Sequence, residues 1–419
     1  VATVHIVLVT HHYAPEVGAP QRRWRHLSAR FVAAGHRVTV LAPPPHYPSG
    51  RAEGLAPHER THATGTGPGG ETIHRVRFRE HGSDLRSRTL DQAHAAVDSI
   101  AVGLRRLRGR DRPDVVIATA PGIPSLGAGW ALARAFRVPL VVEMRDAWPD
   151  LIAPSGMWGH VRRRGWKGWA TRTAHRVVTN LQRHSDAVVT TTASFADVLR
   201  DRRMPRVEVI RNGAPLDEAL RGEPPESPEL RVLYLGTMGR SQGLATAVRA
   251  AAELRRRGVP VRVRFVGSGH EEALLRAEAR ALDAPVEFLG RVPRTEVGAH
   301  YDWADTVLVS LRAWDPFEWT VPSKLFEWTV PSKLYEAMVA GRHVSASLFG
   351  EAAYVVREAD AGDVVPPEDP GALADLWEAL AADRTRLDVG GSGRAWVTEH
   401  ANFDNLAVHY LGLIREVVR

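Results

Sequence analysis

The strongest constraint in this chain is the recurrence of short apolar runs, each separated from the next by a loop and a helix-length stretch. HIVLVT (5–10) is followed by a loop with Pro15 and Gly18, then by Trp24, Leu27, Phe31 and Val32 at helical spacing, then by HRVTVLA (36–42). Apolar residues at a 3.6-residue period between two such runs give a strand–helix–strand unit, and Gly35 is placed to close its helix. Further strands are expected at VVIATA (115–120) and LVVEM (140–144), with an alanine-rich helix between them, and at AVVTTT (187–192) and VEVIRNG (207–213). Runs that are apolar almost throughout suit strands covered on both faces, as in a parallel sheet. Residues 43–72, rich in Pro, Gly and His, read as a long loop, a length more often functional than idle.

GAPLDEALRGEPPESPEL (213–230) interrupts the pattern with prolines and acids, as a linker does. The alternation then resumes at LRVLYLG (230–236), VRVRFVG (261–267), VEFLG (286–290), TVLVSL (306–311) and HVSAS (343–347). A final helix carries Phe403, Leu406, Tyr410, Leu413, Ile414 and Val417 on one face. The expected fold is α/β, with two Rossmann-like parallel-sheet domains facing each other across a cleft. The expected division is 1–213, a linker at 214–229, a second domain at 230–400, and a C-terminal helix at 401–419 that crosses back to the first domain. Ligands of such sheets bind at the carboxyl ends of the strands.

The chain has 419 residues and a formal charge of +7, nearly all of the positive charge being arginine, since Lys167, Lys324 and Lys333 are its only lysines. These arginines are scattered among 48 acidic residues with no helix-turn-helix, zinc or RNA-recognition spacing, so nucleic acid is not an expected partner. A phosphorylated substrate or an acidic membrane surface suits the charge better. The most apolar stretch, SLGAGWALARAFRVPLVV, is interrupted by Arg134 and Arg137, short of the roughly 18 uncharged residues that a span needs. VATVHIVLVT enters a strand without the regions of a signal peptide, and cysteine is absent, so the cytoplasm is the expected compartment.

One phrase occurs twice: Phe317 to Leu325 is repeated letter for letter as Phe326 to Leu334. Only the second copy continues into YEAMVAGR and then HVSAS, with Gly341 placed to end a helix. Pro331 forbids one helix through both copies, because an interior proline costs about 3 kcal/mol. The second copy is therefore expected to begin a helix, and the first to be an inserted loop or separate turn carrying Trp319 or Trp328. The opposite assignment, with Lys324 and Glu327 in place, remains the rival.

The phrases HYAPEVGAPQRRW, PHYPSG, PDVVIATAPG, VEMRDAWPDL, VEVIRNGAPLD, YLGTMGRSQGL, FVGSGHE, VEFLGRVP, PSKLYEAMVAGR and GDVVPPEDP, in this order, cover nearly the whole length. Together they resemble the retaining glycosyltransferases of family 4, of GT-B fold. They are most similar to the N-acetyl-L-fucosaminyl transferase-like branch of O-antigen, capsule and exopolysaccharide assembly. The resemblance implies transfer of a sugar from a UDP-sugar donor, bound in the second domain, to a glycan acceptor linked to polyprenyl diphosphate and bound in the first.

The family supplies an Arg and a Lys to the donor diphosphate and a pair of glutamates eight positions apart. Here the Arg position is Thr237 and the Lys position is Gln242, with Arg240 in the same loop, and Trp328 stands where the first glutamate is expected, Glu327 being one position off. The resemblance places Glu336 on the donor ribose, and the missing cation is expected from Lys333, beside Ser332 in the first turn of a helix whose N-terminus favours anions. Gly236, Gly239 and Gly269 let backbone N–H groups approach a phosphate. In the first domain, Gly18 permits close approach of the backbone to a ligand. Asp146 follows a strand at its carboxyl end, where it is expected to orient the acceptor hydroxyl or act as its base. His11, His12, His46 and Tyr47 fall on the same rim. No DxD triplet and no clustered His/Asp ligand set is visible, so no metal and no other cofactor is expected.

Trp158, Trp166 and Trp169 fall within about 80° of one another on a helical wheel, with Arg163, Arg164 and Lys167 displaced from them. Such a helix lies in a headgroup layer, which implies peripheral association with the inner face of an anionic membrane. A nucleotide-sugar 2-epimerase of the same fold is the alternative activity. A catalytically impaired homologue, its donor motif disturbed by the duplication, is another.

Overall fold

The computed structural model describes residues 3–419 except 83, 121, 146–165, 217–221, 223–225 and 314–329. Its strands are β1 (His5–Val9), β2 (Arg37–Ala42), β3 (Thr64–Thr66), β4 (Thr72–Arg75), β5 (Val115–Thr119), β6 (Leu140–Met144), β7 (Ala187–Thr190), β8 (Val207–Val209), β9 (Leu230–Leu235), β10 (Val261–Val266), β11 (Val286–Gly290), β12 (Thr306–Ser310), β13 (His343–Ser347) and β14 (Gly362–Val365). Its α-helices are α1 (Ala19–Ala33), α2 (Leu85–Arg106), α3 (Ile123–Phe136), α4 (Trp166–Arg183), α5 (Ala193–Asp201), α6 (Ala245–Arg256), α7 (Glu272–Ala281), α8 (Arg294–Trp303), α9 (Ser332–Val339), α10 (Gly350–Glu358), α11 (Pro370–Ala382), α12 (Ser392–His400) and α13 (Phe403–Val418). The chain forms two units, one from the described residues of Val1–Asn212 with Phe403–Arg419, the other from those of Gly213–Asp315 with Phe326–Asn402.

In the first unit the sheet order is β3-β4-β2-β1-β5-β6-β7-β8, parallel throughout except for β3. Every residue of β1, β5, β6 and β7 is buried, which explains why their sequences do not alternate. The stretch 43–72 is not all loop: Thr64–Thr66 pairs antiparallel with β4 across a Gly-Pro-Gly-Gly turn. Both strands are short and largely polar, so they carry no apolar run to betray them. α13 belongs to this unit, and Phe403, Leu406, Tyr410, Leu413 and Ile414 pack with Trp24, Leu27 and Phe31 of α1 over the sheet.

Beneath α1 lies a fully buried ion pair. Arg23 Nη2 is 3.1 Å from Glu143 Oε2 near the end of β6. The same guanidinium donates to the carbonyl of Ile210, just past β8, at 2.9 Å. One side chain thus joins α1 to the carboxyl ends of two strands.

The second sheet runs β11-β10-β9-β12-β13-β14, all parallel. This is the 3-2-1-4-5-6 order of a Rossmann sheet, with its direction of winding reversing between β9 and β12. α6, α7 and α11 cover one face, and α8, α9, α10 and α12 the other. The strand β14, GDVV, was not visible as an apolar run because it is short, half-buried and opens on Gly362 and Asp363. Gly362 is obligatory there: at φ 149°, a Cβ on it would lie 2.2 Å from the carbonyl oxygen of Val344.

Removing one partner of a buried pair strands the other charge, at a cost of about 3–5 kcal/mol, whereas replacing both with apolar residues returns part of that loss. Glu143→Leu is therefore expected to lower stability by about that amount and Arg23→Met with Glu143→Leu by less, as read by urea unfolding. Equal losses for the single and the double variant would show that the pair does not hold this unit together.

Candidate functional site

The carboxyl edge of the second sheet is assembled from backbone packed on backbone. After β9 the chain turns at Gly236, whose N–H donates to Val266 O at 2.9 Å, and Met238 N–H donates to Ser268 O at 3.0 Å. The loops following β9 and β10 are thereby stitched together. Cβ atoms on Gly267 and Gly269 would lie 2.0 Å from Gly236 O and 2.2 Å from Met238 O. Gly269 is thus needed for loop packing, a role distinct from facing a ligand.

Lys333, on the first turn of α9, reaches into this edge. A Cβ on Gly236 would stand 3.0 Å from its Nζ, so the absent side chain leaves room for the ammonium. Nζ donates to the phenol oxygen of Tyr234 at 2.7 Å and lies 4.2 Å from the centroid of that ring. The Tyr234 hydroxyl in turn donates to Thr237 O at 2.6 Å. Burial pushes the Lys333 ammonium down from 10.5 to about 8, against the pull of the Glu336 carboxylate one helical turn on. Tyr234 is the residue sequence reasoning missed. It sits inside the apolar run of β9, and only the need of a buried phenol for a partner signals it.

The remaining expected donor residues take several roles. Arg240 is exposed and starts a short 3-10 turn, Arg240–Gln242. Gln242, at the position of the family lysine, closes that loop: its Oε1 accepts the Gly239 N–H at 3.1 Å and its carbonyl accepts from Ser310 Oγ at 2.7 Å. Gly239 is the turn's N-cap, with a would-be Cβ 2.9 Å from Gln242 Oε1. Ser332 and Glu336 both lie on α9, which starts just after Pro331 and is ended by Gly341 at φ 69°. The described part of the repeat therefore starts a helix in the second copy. Lys324, Glu327, Trp319 and Trp328 lie outside the described residues.

In the first unit the winding reverses between β1 and β5, and the loops there gather histidines. The ring centroids of His11, His12 and His46 are 4.9, 5.0 and 5.1 Å apart, and His46 stacks on Phe78 at 4.4 Å. His11 Nε2 is 2.9 Å from Asp91 Oδ2, and His81 Nε2 is 3.9 Å from the same oxygen. This corrects the reading that no clustered His/Asp set exists. Its members are spread from residue 11 to residue 91, so no spacing reveals them. Glu16 organises the rim by accepting the N–H groups of His46 at 2.7 Å and Tyr47 at 2.9 Å. Burial works to raise the Glu16 carboxyl, but His12, His46 and the Gln21 amide outweigh it and hold it at about 2.

Gly18 is the N-cap of α1 in an extended conformation, and the group that approaches it is Gln21: a Cβ there would lie 2.4 Å from Gln21 Oε1. The space read as a ligand approach holds this amide, which also donates to Glu16 at 2.9 Å. Asp146, Trp158, Arg163 and Arg164 lie outside the described residues, as do the side chains of Trp166 and Lys167. No described helix is long and apolar enough to cross a membrane.

Comparison with known proteins agrees with this architecture. Residues 18–213 match a glycosyl transferase 4-like domain and residues 229–383 match glycosyl transferases group 1. The chain is 29% identical to a glycogen synthase of Mycobacterium tuberculosis (strain ATCC 25618 / H37Rv), over 75% of this chain and 74% of that one. Among solved structures, the sucrose-phosphate synthase of Thermosynechococcus elongatus superposes with a TM-score of 0.74 at 18% identity, covering 99% of each chain. Anabaena Alr3699/HepE, solved in complex with UDP, superposes with a TM-score of 0.64 at 14% identity, covering 98% of this chain and 100% of that one. With these two domains in succession, each on its own Rossmann-like sheet, the chain is a glycosyltransferase of the GT-B fold.

Proposed function

We propose that the protein is a retaining glycosyltransferase that takes a sugar from a UDP-sugar and passes it to a glycan acceptor linked to polyprenyl diphosphate, in cell-surface polysaccharide synthesis. The observation that carries the donor half is Lys333, a cation drawn into the carboxyl edge of a Rossmann sheet and held there by a phenol. UDP complexes of the similarly folded Anabaena protein support a nucleoside diphosphate as the ligand.

In this reading the diphosphate meets the Lys333 ammonium and the N-terminus of α9 beside the Gly236–Gly239 loop, while Glu336 accepts ribose hydroxyl hydrogens. The bond from sugar C1 to the diphosphate oxygen breaks, and a bond forms from C1 to the acceptor oxygen on the same face. The acceptor proton passes to the departing phosphate oxygen, with Asp146 assigned to orient that hydroxyl. The developing charge is on the leaving group, so a preorganised donor such as Lys333 is worth about 10²–10³ in rate.

UDP binding by calorimetry tests the assignment. Wild-type affinity is expected to be steady below pH 8 and to weaken above it. The free ammonium titrates at about 8 and only its charged form attracts the diphosphate. The same depressed value means that the charged ammonium costs folding stability at neutral pH, a cost relieved as pH rises from about 8 to 10.5. Lys333→Met should bind UDP at least tenfold more weakly and lose the pH slope, Glu336→Ala should also bind weakly, and Lys324→Ala should match wild type. Loss of binding in the Lys324 variant with Lys333→Met unaffected assigns the site to the first copy of the repeat. Wild-type behaviour in all three removes the donor assignment.

The lipid-linked acceptor rests on α4. Trp169 is 63% exposed, and Arg172, Arg176 and Arg183 are also exposed, at steps that place all four on one side of the helix. Such an arrangement seats an indole in the headgroup layer beside cations for anionic lipids. Flotation with anionic liposomes at low salt is expected to carry the protein upward, and Arg172→Glu with Arg176→Glu to abolish that. Absence of flotation, or flotation unchanged by the charge reversals, rejects membrane association.

A further inference from the structure

The histidines at the winding reversal of the first sheet have a feature that an acceptor rim does not require. Nδ1 of His11 and Nε2 of His46 are buried without a hydrogen-bond partner among the described residues, and His12 Nδ1 has only the Glu16 carboxylate, at 3.4 Å. Buried polar atoms are paired in the great majority of cases, so two orphaned ring nitrogens in one cluster, beside a third imidazole, call for a ligand. Each of the three residues offers a nitrogen within 4.8 Å of the other two.

The second nitrogen of two of these rings is already fixed. His11 Nε2 faces Asp91 Oδ2 at 2.9 Å, and His46 Nδ1 faces Pro44 O at 2.8 Å. Metal-binding histidines are oriented in this way, with one ring nitrogen held by a carboxylate or carbonyl so that the other presents its lone pair. Asp91 is itself anchored by the Arg79 N–H at 2.9 Å, and Glu16 Oε2 lies 3.4 Å from His12 Nδ1.

The geometry points to a divalent transition-metal site of the zinc class, with His11, His12 and His46 as ligands and the fourth position open to water or an anionic oxygen. Zinc–nitrogen bonds of about 2.0–2.1 Å in tetrahedral array set the ligand nitrogens about 3.3 Å apart. The rings therefore need to close by no more than about 1.5 Å, within reach of small side-chain rotations. Asp91 and Glu16 supply two negative charges around the dication, which removes the cost of leaving it uncompensated. Imidazole ligands without thiolate or a carboxylate-rich shell favour zinc and its neighbours over magnesium or calcium. A bound ion would tie the loop after β1 to the segment around His46, fixing the rim that Gly18 and Tyr47 also occupy.

Metal binding is read directly on tag-free full-length protein stripped with chelator. Competition against a chromogenic zinc chelator is expected to show one tightly held zinc per chain, and cobalt(II) to give the intense visible bands of a tetrahedral nitrogen site. His46→Ala and the half-buried His12→Gln should each weaken zinc at least tenfold, and Asp91→Asn about 10–100-fold through its hold on His11. Far-UV circular dichroism of the stripped variants separates a lost ligand from a lost fold, and His12→Gln, nearest the surface, keeps the test decisive if His46→Ala does not fold. Failure of the wild type to hold one equivalent, or zinc affinity unchanged in a folded His12→Gln protein, overturns the proposal.

Discussion

Position 236 carries no side chain, and the carboxyl edge of the second sheet depends on that. At φ 149° the backbone there is in a region only glycine enters freely, and its carbonyl fills the space where a Cβ on Gly267 would stand. Two loops therefore close against each other with nothing but main chain between them. The same vacancy leaves room for the end of Lys333, whose Nζ would be pressed to 3.0 Å by a Cβ at this position as it reaches the Tyr234 phenol. Each such glycine costs about 0.5–1 kcal/mol of extra chain entropy on folding. What the structure gains is a cation held beside backbone N–H groups in a slot too tight for a larger neighbour.

Two buried or half-buried cations show what distinguishes a structural charge from a reactive one. Arg23 meets the Glu143 carboxylate and the Ile210 carbonyl, so its planar fork is matched and its charge compensated. Lys333 instead rests on a phenol oxygen and a ring face, which do not neutralise it, and burial lowers its affinity for the proton. An arriving anion improves the surroundings of Lys333. At Arg23 it has nothing to add.

Legibility followed burial and continuity. The strands covered on both faces, β1, β5, β6 and β12, stand out as apolar runs, and the inward face of α13 is plain from its period. The half-buried strand β14 and the polar hairpin β3–β4 owe their pairing to neighbours already in place, and local sequence carries little trace of them. The candidate site divides the same way. The helix that carries Lys333 and Glu336 is legible because a proline and a glycine bracket it, whereas Tyr234 is hidden by the apolarity of its own strand. Gly269 is expected from sequence to face the donor, and in the structure the Met238 backbone occupies the space beside it. The histidine cluster was illegible because tertiary folding alone unites residues 11, 46, 81 and 91.

The two sheets put their chemistry at equivalent places for a topological reason. In each, the first strand is flanked by the second and by the fourth parallel strand, so successive crossovers leave it in opposite directions and a crevice opens past its carboxyl end. In the second sheet that crevice is lined by glycines and one lysine, which leaves room and positive potential for a diphosphate. In the first it is lined by imidazoles and carboxylates, groups that can hold a cation or pass protons. Polar side chains of that kind are costly to bury unless something satisfies them. The second crevice is thus shaped by what has been removed from it, and the first by what has been crowded in.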